Sequence, residues 1–223
     1  MPNTLAEWDA RHRAAAESAA EEPAGFVREL MPLLPLGPAL DIACGTGRHT
    51  LLLAERQQPV TAVDASGVAL EIVAQRLRAA GHPKSGRGPS RLPSRLRVNR
   101  VNVPCPYRRS PSIAASRDGM LLVQTDLEQA TLPVNSFALI LCVNYLQRSL
   151  FSQMERALAP GGMLLFETHT RAQLEFAGGP RNPMFLLDPG ELRVAFPSLR
   201  LLFYRELRAG KGIASLIAQK PSG

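Results

Sequence analysis

The chain has 223 residues, 45% of them hydrophobic, and a formal charge of +7; there is room for one sizeable core and little for a second catalytic domain, because single cores grow to roughly 250 residues. Its three cysteines, Cys44, Cys105 and Cys142, are far apart and lack CxxC or Cys/His spacing, which excludes a disulfide framework or a zinc site and fits the thiols of a reducing cytoplasm. No stretch approaches the roughly 18 apolar residues of a membrane span, and the charged N-terminus has no signal-peptide core, so a soluble cytoplasmic protein with no membrane partner and no metal is expected.

Residues 4–31 are rich in Ala and Glu, with Phe26, Val27 and Leu30 along an apolar edge. They predict a helical extension, 1–36, that Pro32 and Pro35 end. From Leu40, strand-like and helix-like stretches alternate: ALDIA, RHTLLLAERQ, PVTAVD and SGVALEIVAQRLRAAG. The last carries Val68, Ile72, Val73 and Leu77 at helical spacing, with Ser66 as N-cap and Gly81 as its stop. Residues 82–118 interrupt this rhythm with nine Lys or Arg against one acid, Asp118. The segment therefore holds +8 of a total of +7, which leaves −1 for the rest of the chain. Such a balance points toward nucleic acid or an anionic surface, yet Tyr107 is its one aromatic and stacking platforms need several. A solvated, poorly ordered insertion is the favoured reading; a short strand at LRVNRVNV, or its pairing with a partner, is the lesser one.

The alternation resumes with MLLVQTD, FALILCVN, helix-like RSLFSQMERALA, a PGG turn and MLLFETH. Continuous apolar strands separated by helices predict a parallel sheet covered on both faces. In DPGELRVAF, Asp188 fits an N-cap, Pro189 the first helical position and Glu191 a capping box. LRLLFYREL and GIASLIAQK, joined by a short link at Gly210, predict an antiparallel hairpin. The whole, 1–223, reads as one doubly wound α/β domain.

The stretch ALDIACGTGRHT carries the most chemistry. A strand, a G-x-G turn and a helix bring backbone N–H groups to a ligand, and the absent Cβ at Gly45 and Gly47 allows close approach. Arg48 and His49 stand where a P-loop needs its Lys and Ser or Thr, and Thr50 stands where a dinucleotide fingerprint needs a third glycine. A ligand without a tightly cradled phosphate fits better. Asp64, 17 residues beyond Gly47 at the end of a strand, suits the two hydroxyls of a ribose. Asp126, at the end of the next strand, suits an exocyclic amine of adenine, and Asp41, inside the first strand, an ammonium group.

With these residues in order, the sequence resembles the class I S-adenosylmethionine-dependent methyltransferases. The resemblance rests on DIACGTG, VTAVDAS, VQTDLEQATLP, FALILCVNYL and LAPGGMLLFE and spans about residues 37–220 apart from the basic insertion. EWDARH, CVNYLQRSLF and GGPRNPMFLLDPGEL are similar to the bacterial tellurite-resistance-type branch, related to the thiopurine methyltransferase-like enzymes. It implies a seven-stranded, mostly parallel Rossmann-like sheet with an antiparallel C-terminal hairpin. S-adenosyl-L-methionine is the implied cofactor and S-adenosyl-L-homocysteine the product. Gly45 and Gly47 would line the methionine moiety, Asp64 the ribose, Asp126 and Leu127 the adenine, and Asn144 the face where the methyl group is presented. Asp41, Ala43, Cys44 and Ala65 complete the implied cofactor set, and Trp8 and Arg11 belong to an N-terminal lid.

Cys44 then reads as a small packing residue, and His49 as a solvated or capping one. Glu167, His169 and Arg171 are expected to emerge at the carboxyl edge of the sheet, where acceptors bind. Tyr145 either reaches the acceptor or packs on the following helix, and the loop holding Arg181 either caps the pocket or is an ordinary turn. No catalytic residue is assigned, since a methyl sulfonium is already activated and the protein has chiefly to align a nucleophile. The expected partner is a small-molecule acceptor, a soft sulfur, selenium or tellurium nucleophile needing least help from a base. A nucleic-acid acceptor gripped by the basic insertion and a non-catalytic cofactor-binding module are the alternatives. A monomer is compatible with all three.

Overall fold

The apolar runs pair into one eight-stranded sheet. The computed structural model describes residues 4–17, 22–81, 96–100, 113 and 119–222. Its strands are β1 (Ala39–Ile42), β2 (Val60–Asp64), β3 (Leu96–Arg100), β4 (Met120–Gln124), β5 (Phe137–Val143), β6 (Leu158–His169), β7 (Arg200–Arg208) and β8 (Gly212–Gln219), in the order β3-β4-β2-β1-β5-β6-β8-β7. The first six run parallel, and β8 is antiparallel to both β6 and β7. Seven strands form the expected mixed sheet with its antiparallel hairpin. The eighth, β3, is the LRVNR run of the basic segment, added to the edge beside β4. The rest of that segment, apart from residue 113, lies outside the described residues, and with it Cys105, Tyr107 and the expectation of poor order.

Strand periodicity divides the core in two, since alternate side chains point to opposite faces. On one face Leu40, Ile42, Val123, Ile140, Cys142, Phe166 and Leu216 pack against α5 (Phe151–Ala157), α6 (Glu191–Val194) and the segment around Phe196. On the other, Ala62, Leu122, Leu139, Leu141, Leu165 and Ile217 meet α2 (Gly25–Leu30), α3 (Arg48–Glu55) and α4 (Gly67–Gly81). The central strands β1 and β2 are buried along their whole length, as a sheet covered on both faces requires. The chain turns from β1 outward to β2 and then crosses to β5, so the switch point lies between β1 and β5. Ligands of open α/β sheets bind beyond the carboxyl ends of the strands at such a point.

Three expectations need correction. The N-terminal helix is not continuous over 4–31: α1 (Leu5–Glu17) and α2 are separate, and residues 22–24, including Pro23, are non-helical. Pro cannot donate within a helix, and it breaks the run there rather than only at Pro32. PGG is not a turn before a strand but an irregularity inside β6, where Leu158 pairs with Phe137 and the register resumes at Leu139 and Met163. Gly162 is held there because an added Cβ would come 2.9 Å from two carbonyl oxygens. Finally, α6 starts at Glu191, not Pro189, behind Gly190 at φ 76°. Glu191 still reaches back to the Asp188 N–H at 2.8 Å, but the Asp188 carboxylate is spent on Arg171. Among the described residues, no helix is long and apolar enough to cross a membrane.

Candidate functional site

The turn after β1 is built by its own backbone. Cys44 N–H donates to the Val63 carbonyl and Gly47 N–H to the Cys44 carbonyl, each at 3.0 Å. Ala43, Gly45 and Gly47 take positive φ values of 52°, 53° and 86°, so the chain doubles back tightly before α3. Gly47 is fixed by packing, because an added Cβ would stand 2.6 Å from Val73 Cγ2 of α4. At Gly45 the added Cβ would point into the space under α1, 3.6 Å from His12 Cε1. Arg76 of α4 pins the turn from below by donating to the Thr46 carbonyl at 2.8 Å.

Two buried acids floor this turn. Asp64, at the end of β2, accepts from Gly45 N–H and from Ser66 N–H, each at 2.8 Å. Burial raises its pKa, against those two N–H bonds and the neighbouring His12, which lower it. Asp41 accepts from the Thr50 hydroxyl at 2.6 Å and is 1% exposed. Burial pushes its carboxyl up to about 7, and the nearby Asp64 adds to the effect. Arg48 acts on Asp41 and His12 on Asp64, yet burial outweighs both, and a ligand's positive charge within a few ångströms would favour the ionised form further.

The other expected cofactor positions lie on the same edge. Asp64 stands level with Gln124, and Thr125 N–H donates to the Asp64 carbonyl at 3.0 Å. Asp126 therefore follows β4 by two residues rather than ending it. Its exposed carboxylate accepts from Glu128 N–H at 2.9 Å and Gln129 Nε2 at 3.2 Å. Leu127 is buried in the core, and Ala65 is exposed beside Ser66. Across the switch point, Ile42 pairs with Cys142, which sets Ala43 and the exposed Asn144 just beyond neighbouring strand ends. Asn144 has φ 59°, and its N–H donates to the Glu167 carbonyl at 2.8 Å. Cys44 is buried, and its thiol is pushed well up by burial and the adjacent acids, which leaves it protonated and inert.

The acceptor-side residues are less gathered. Glu167 does not emerge: it is buried inside β6, where it accepts from Ser215 Oγ at 2.6 Å and lies 3.8 Å from Arg205. Arg171 is paired with Asp188, and Arg181 donates to the carbonyls of Leu174 and Phe176, closing its own loop. His169 is half-buried at the end of β6, with its pKa lowered by burial and by Lys211. Tyr145 packs against the core and donates to Gln147 Oε1, while Gln147 Nε2 reaches the Leu127 carbonyl at 3.2 Å. His49 is buried rather than solvated: Nε2 accepts from Ala24 N–H at 3.1 Å, and burial lowers its pKa to about 3.

Trp8 and Arg11 are exposed, the guanidinium lying 5.1 Å from the indole centroid. The half-buried positions of α1 are Asp9, His12 and Ala15, spaced as one helical face. Neither Asp9 nor His12 is legible as a site residue in sequence, because only the fold brings α1 over Gly45 and Ser66. Among the described residues, no group of three or more His, Cys, Asp or Glu is arranged to hold a metal.

A family model described as "Methyltransferase domain" matches residues 40–166. No curated protein matches the chain. Among solved structures, one described for the conversion of a disulfide bond into a thioacetal group during echinomycin biosynthesis is 16% identical, with a TM-score of 0.63 over 99% of this chain and 94% of that one. TehB from Haemophilus influenzae is 15% identical, with a TM-score of 0.62 over 91% of this chain and 63% of TehB. An S-adenosylmethionine dependent methyltransferase from Mesorhizobium loti is 17% identical, with a TM-score of 0.58 over 88% of this chain and 98% of that one. At such identities the likeness is one of fold, and fold alone does not name an acceptor.

Proposed function

The chain belongs to the methyltransferase-domain family, matched over residues 40–166, and on that premise we propose that it transfers the methyl group of S-adenosylmethionine to a small-molecule acceptor. The observation that carries this reading is the acidic, glycine-lined turn. Gly45 opens toward α1, Asp64 is held by two N–H groups, and Asp41 is buried with its carboxyl near neutrality. That set of acceptors fits a ligand with hydroxyls and positive charge, and the turn lacks the features of a phosphate cradle.

Bound there, S-adenosylmethionine supplies a methyl group on a sulfonium, already activated toward nucleophiles. The work left to the chain is to hold, orient and exclude water. A carboxylate offers about four acceptor sites, more than its backbone N–H bonds occupy, and Asp64 would receive the ribose hydroxyls with the remainder. Asp126 and Leu127 would take the adenine, and Asp41, with Gly45 and Gly47, the amino-acid end. Ala43 and Asn144, just beyond neighbouring strand ends, would flank the place where the acceptor approaches. Alignment of this kind is worth roughly 7–11 kcal/mol of barrier, and a soft nucleophile asks for no dedicated base.

The acceptor is proposed to be a small thiol or a related sulfur, selenium or tellurium species, and the tellurite-resistance-type branch is proposed on the motifs quoted above. Likeness in fold to TehB and to the echinomycin-pathway protein is compatible with both. A methyl-transfer screen over thiols, selenite, tellurite, amines and small acids, read as S-adenosylhomocysteine release, tests the proposal. Turnover with a sulfur, selenium or tellurium acceptor that Asp64→Ala abolishes is expected. Turnover confined to amines or acids would overturn the acceptor class.

A further inference from the structure

We propose that His12, rather than its neighbours Trp8 and Arg11, is the α1 residue that meets the methyl donor, its ring N–H receiving the carboxylate at the ligand's amino-acid end. This rests on the cofactor reading above and adds a residue and a role to it.

The register of α1 over the turn is fixed at Asp9, which accepts a hydrogen bond from the Ser66 hydroxyl. Ser66 in turn donates its N–H to Asp64 and caps α4 by accepting from Ala69 N–H at 3.0 Å. With Asp9 locked to that corner, the residue three positions on faces the same way. His12 accordingly stands over Gly45, its Cε1 edge 3.6 Å from where a Cβ there would be. Trp8, four positions earlier, stacks on the imidazole at 5.9 Å and 24°. It reads as a positioning residue whose own outer surface is exposed, with Arg11 laid against it.

The chemistry of the surroundings assigns the partner. Asp9, Asp41 and Asp64 are acceptors, and the donors at the turn are largely engaged: Gly45 N–H with Asp64, Gly47 N–H with Cys44, Arg76 with Thr46. A ligand that ends in an amino acid brings a carboxylate which those three acids repel. An imidazole N–H above Gly45 supplies a donor where that end would lie. No described side chain of α1 is buried, and the helix meets the domain along its half-buried face of Asp9, His12 and Ala15.

The test is calorimetric titration of the full chain with S-adenosylhomocysteine and with 5′-methylthioadenosine, which lacks the amino-acid end. His12→Ala is expected to weaken the first by about tenfold or more, as loss of a hydrogen bond to a charged group does, and the second by less than about twofold. His12→Gln, which keeps an N–H donor, should recover part of the loss, and Trp8→Ala should show a smaller loss with the same ligand preference. Melting temperatures should stay close to wild type, because α1 contributes nothing to the core. Equal losses for both ligands, or S-adenosylhomocysteine affinity within twofold of wild type in His12→Ala, would overturn the assignment. A wild-type chain that binds neither ligand would overturn the cofactor reading beneath it.

Discussion

Burial pushes the Asp41 carboxyl up to about 7, against the Thr50 hydroxyl, the nearby Arg48 and the Thr50 backbone N–H, which favour its ionised form. A folded pKa raised above the unfolded one contributes stability that is whole below about pH 4 and lost as pH rises through about 7. Asp41→Asn keeps an acceptor for Thr50 and removes the titration. The difference in unfolding free energy between variant and wild type, without ligand, should grow in the variant's favour from pH 5 to pH 8, by up to about 2.5 kcal/mol. A difference independent of pH would contradict the assignment. His49 works in the opposite sense: its pKa is lowered to about 3, so its contribution is whole above pH 6.5 and lost as pH falls. His49→Gln should flatten that acid-side loss in urea melts. At Gly47 the issue is space and handedness. Ala there meets Val73 and a φ of 86°, a loss of about 2–4 kcal/mol in denaturant unfolding.

Between elements, Arg148 is the clearest clamp. Its guanidinium forks onto both oxygens of Glu191 and also donates to the carbonyls of Met184 and Leu186 at 3.1 and 3.0 Å, tying the segment before α6 to the start of α5. Arg148→Ala should cost about 1–2 kcal/mol, since the pair is partly exposed, and Arg148→Lys should recover little of it because an ammonium cannot fork. Equal stability of Arg148→Lys and wild type would argue against the bidentate geometry. The sheet was legible in the sequence because buried parallel strands are continuous apolar runs, and Ser66 because capping is local chemistry. Arg148 with Glu191, His49 with Ala24 and His12 over Gly45 were not, because each joins residues 25 or more apart through the fold. Glu167 misled for the same reason: nothing local to ETH tells that Ser215 and Arg205 lie beside it.

At the scale of the molecule, charge and fold speak to different questions. The fold directs a ligand to the carboxyl ends of β1, β2 and β4, whereas most of the net charge sits in residues 82–118. A nucleic-acid acceptor engaged through that segment would make turnover fall steeply with salt, because each phosphate contact releases counterions. A small-molecule acceptor predicts turnover that changes less than about twofold between 50 and 200 mM salt. The G-x-G turn, Asp41 inside the first strand and Asp64 at the end of the second were readable as positions in the sequence, because strand, turn and helix there are local pattern. The acceptor side was not, because its loops are fixed by their own pairings, as Arg171 with Asp188 and Arg181 with its carbonyls show. The central claim, that the turn from Asp41 to Gly47 together with Asp64 cradles a methyl donor, is tested most directly by calorimetric titration of S-adenosylmethionine into the wild-type chain and into Asp64→Ala. Saturable one-to-one binding, weakened about tenfold or more in the variant, is expected; no binding, or equal affinity in the two chains, would contradict it.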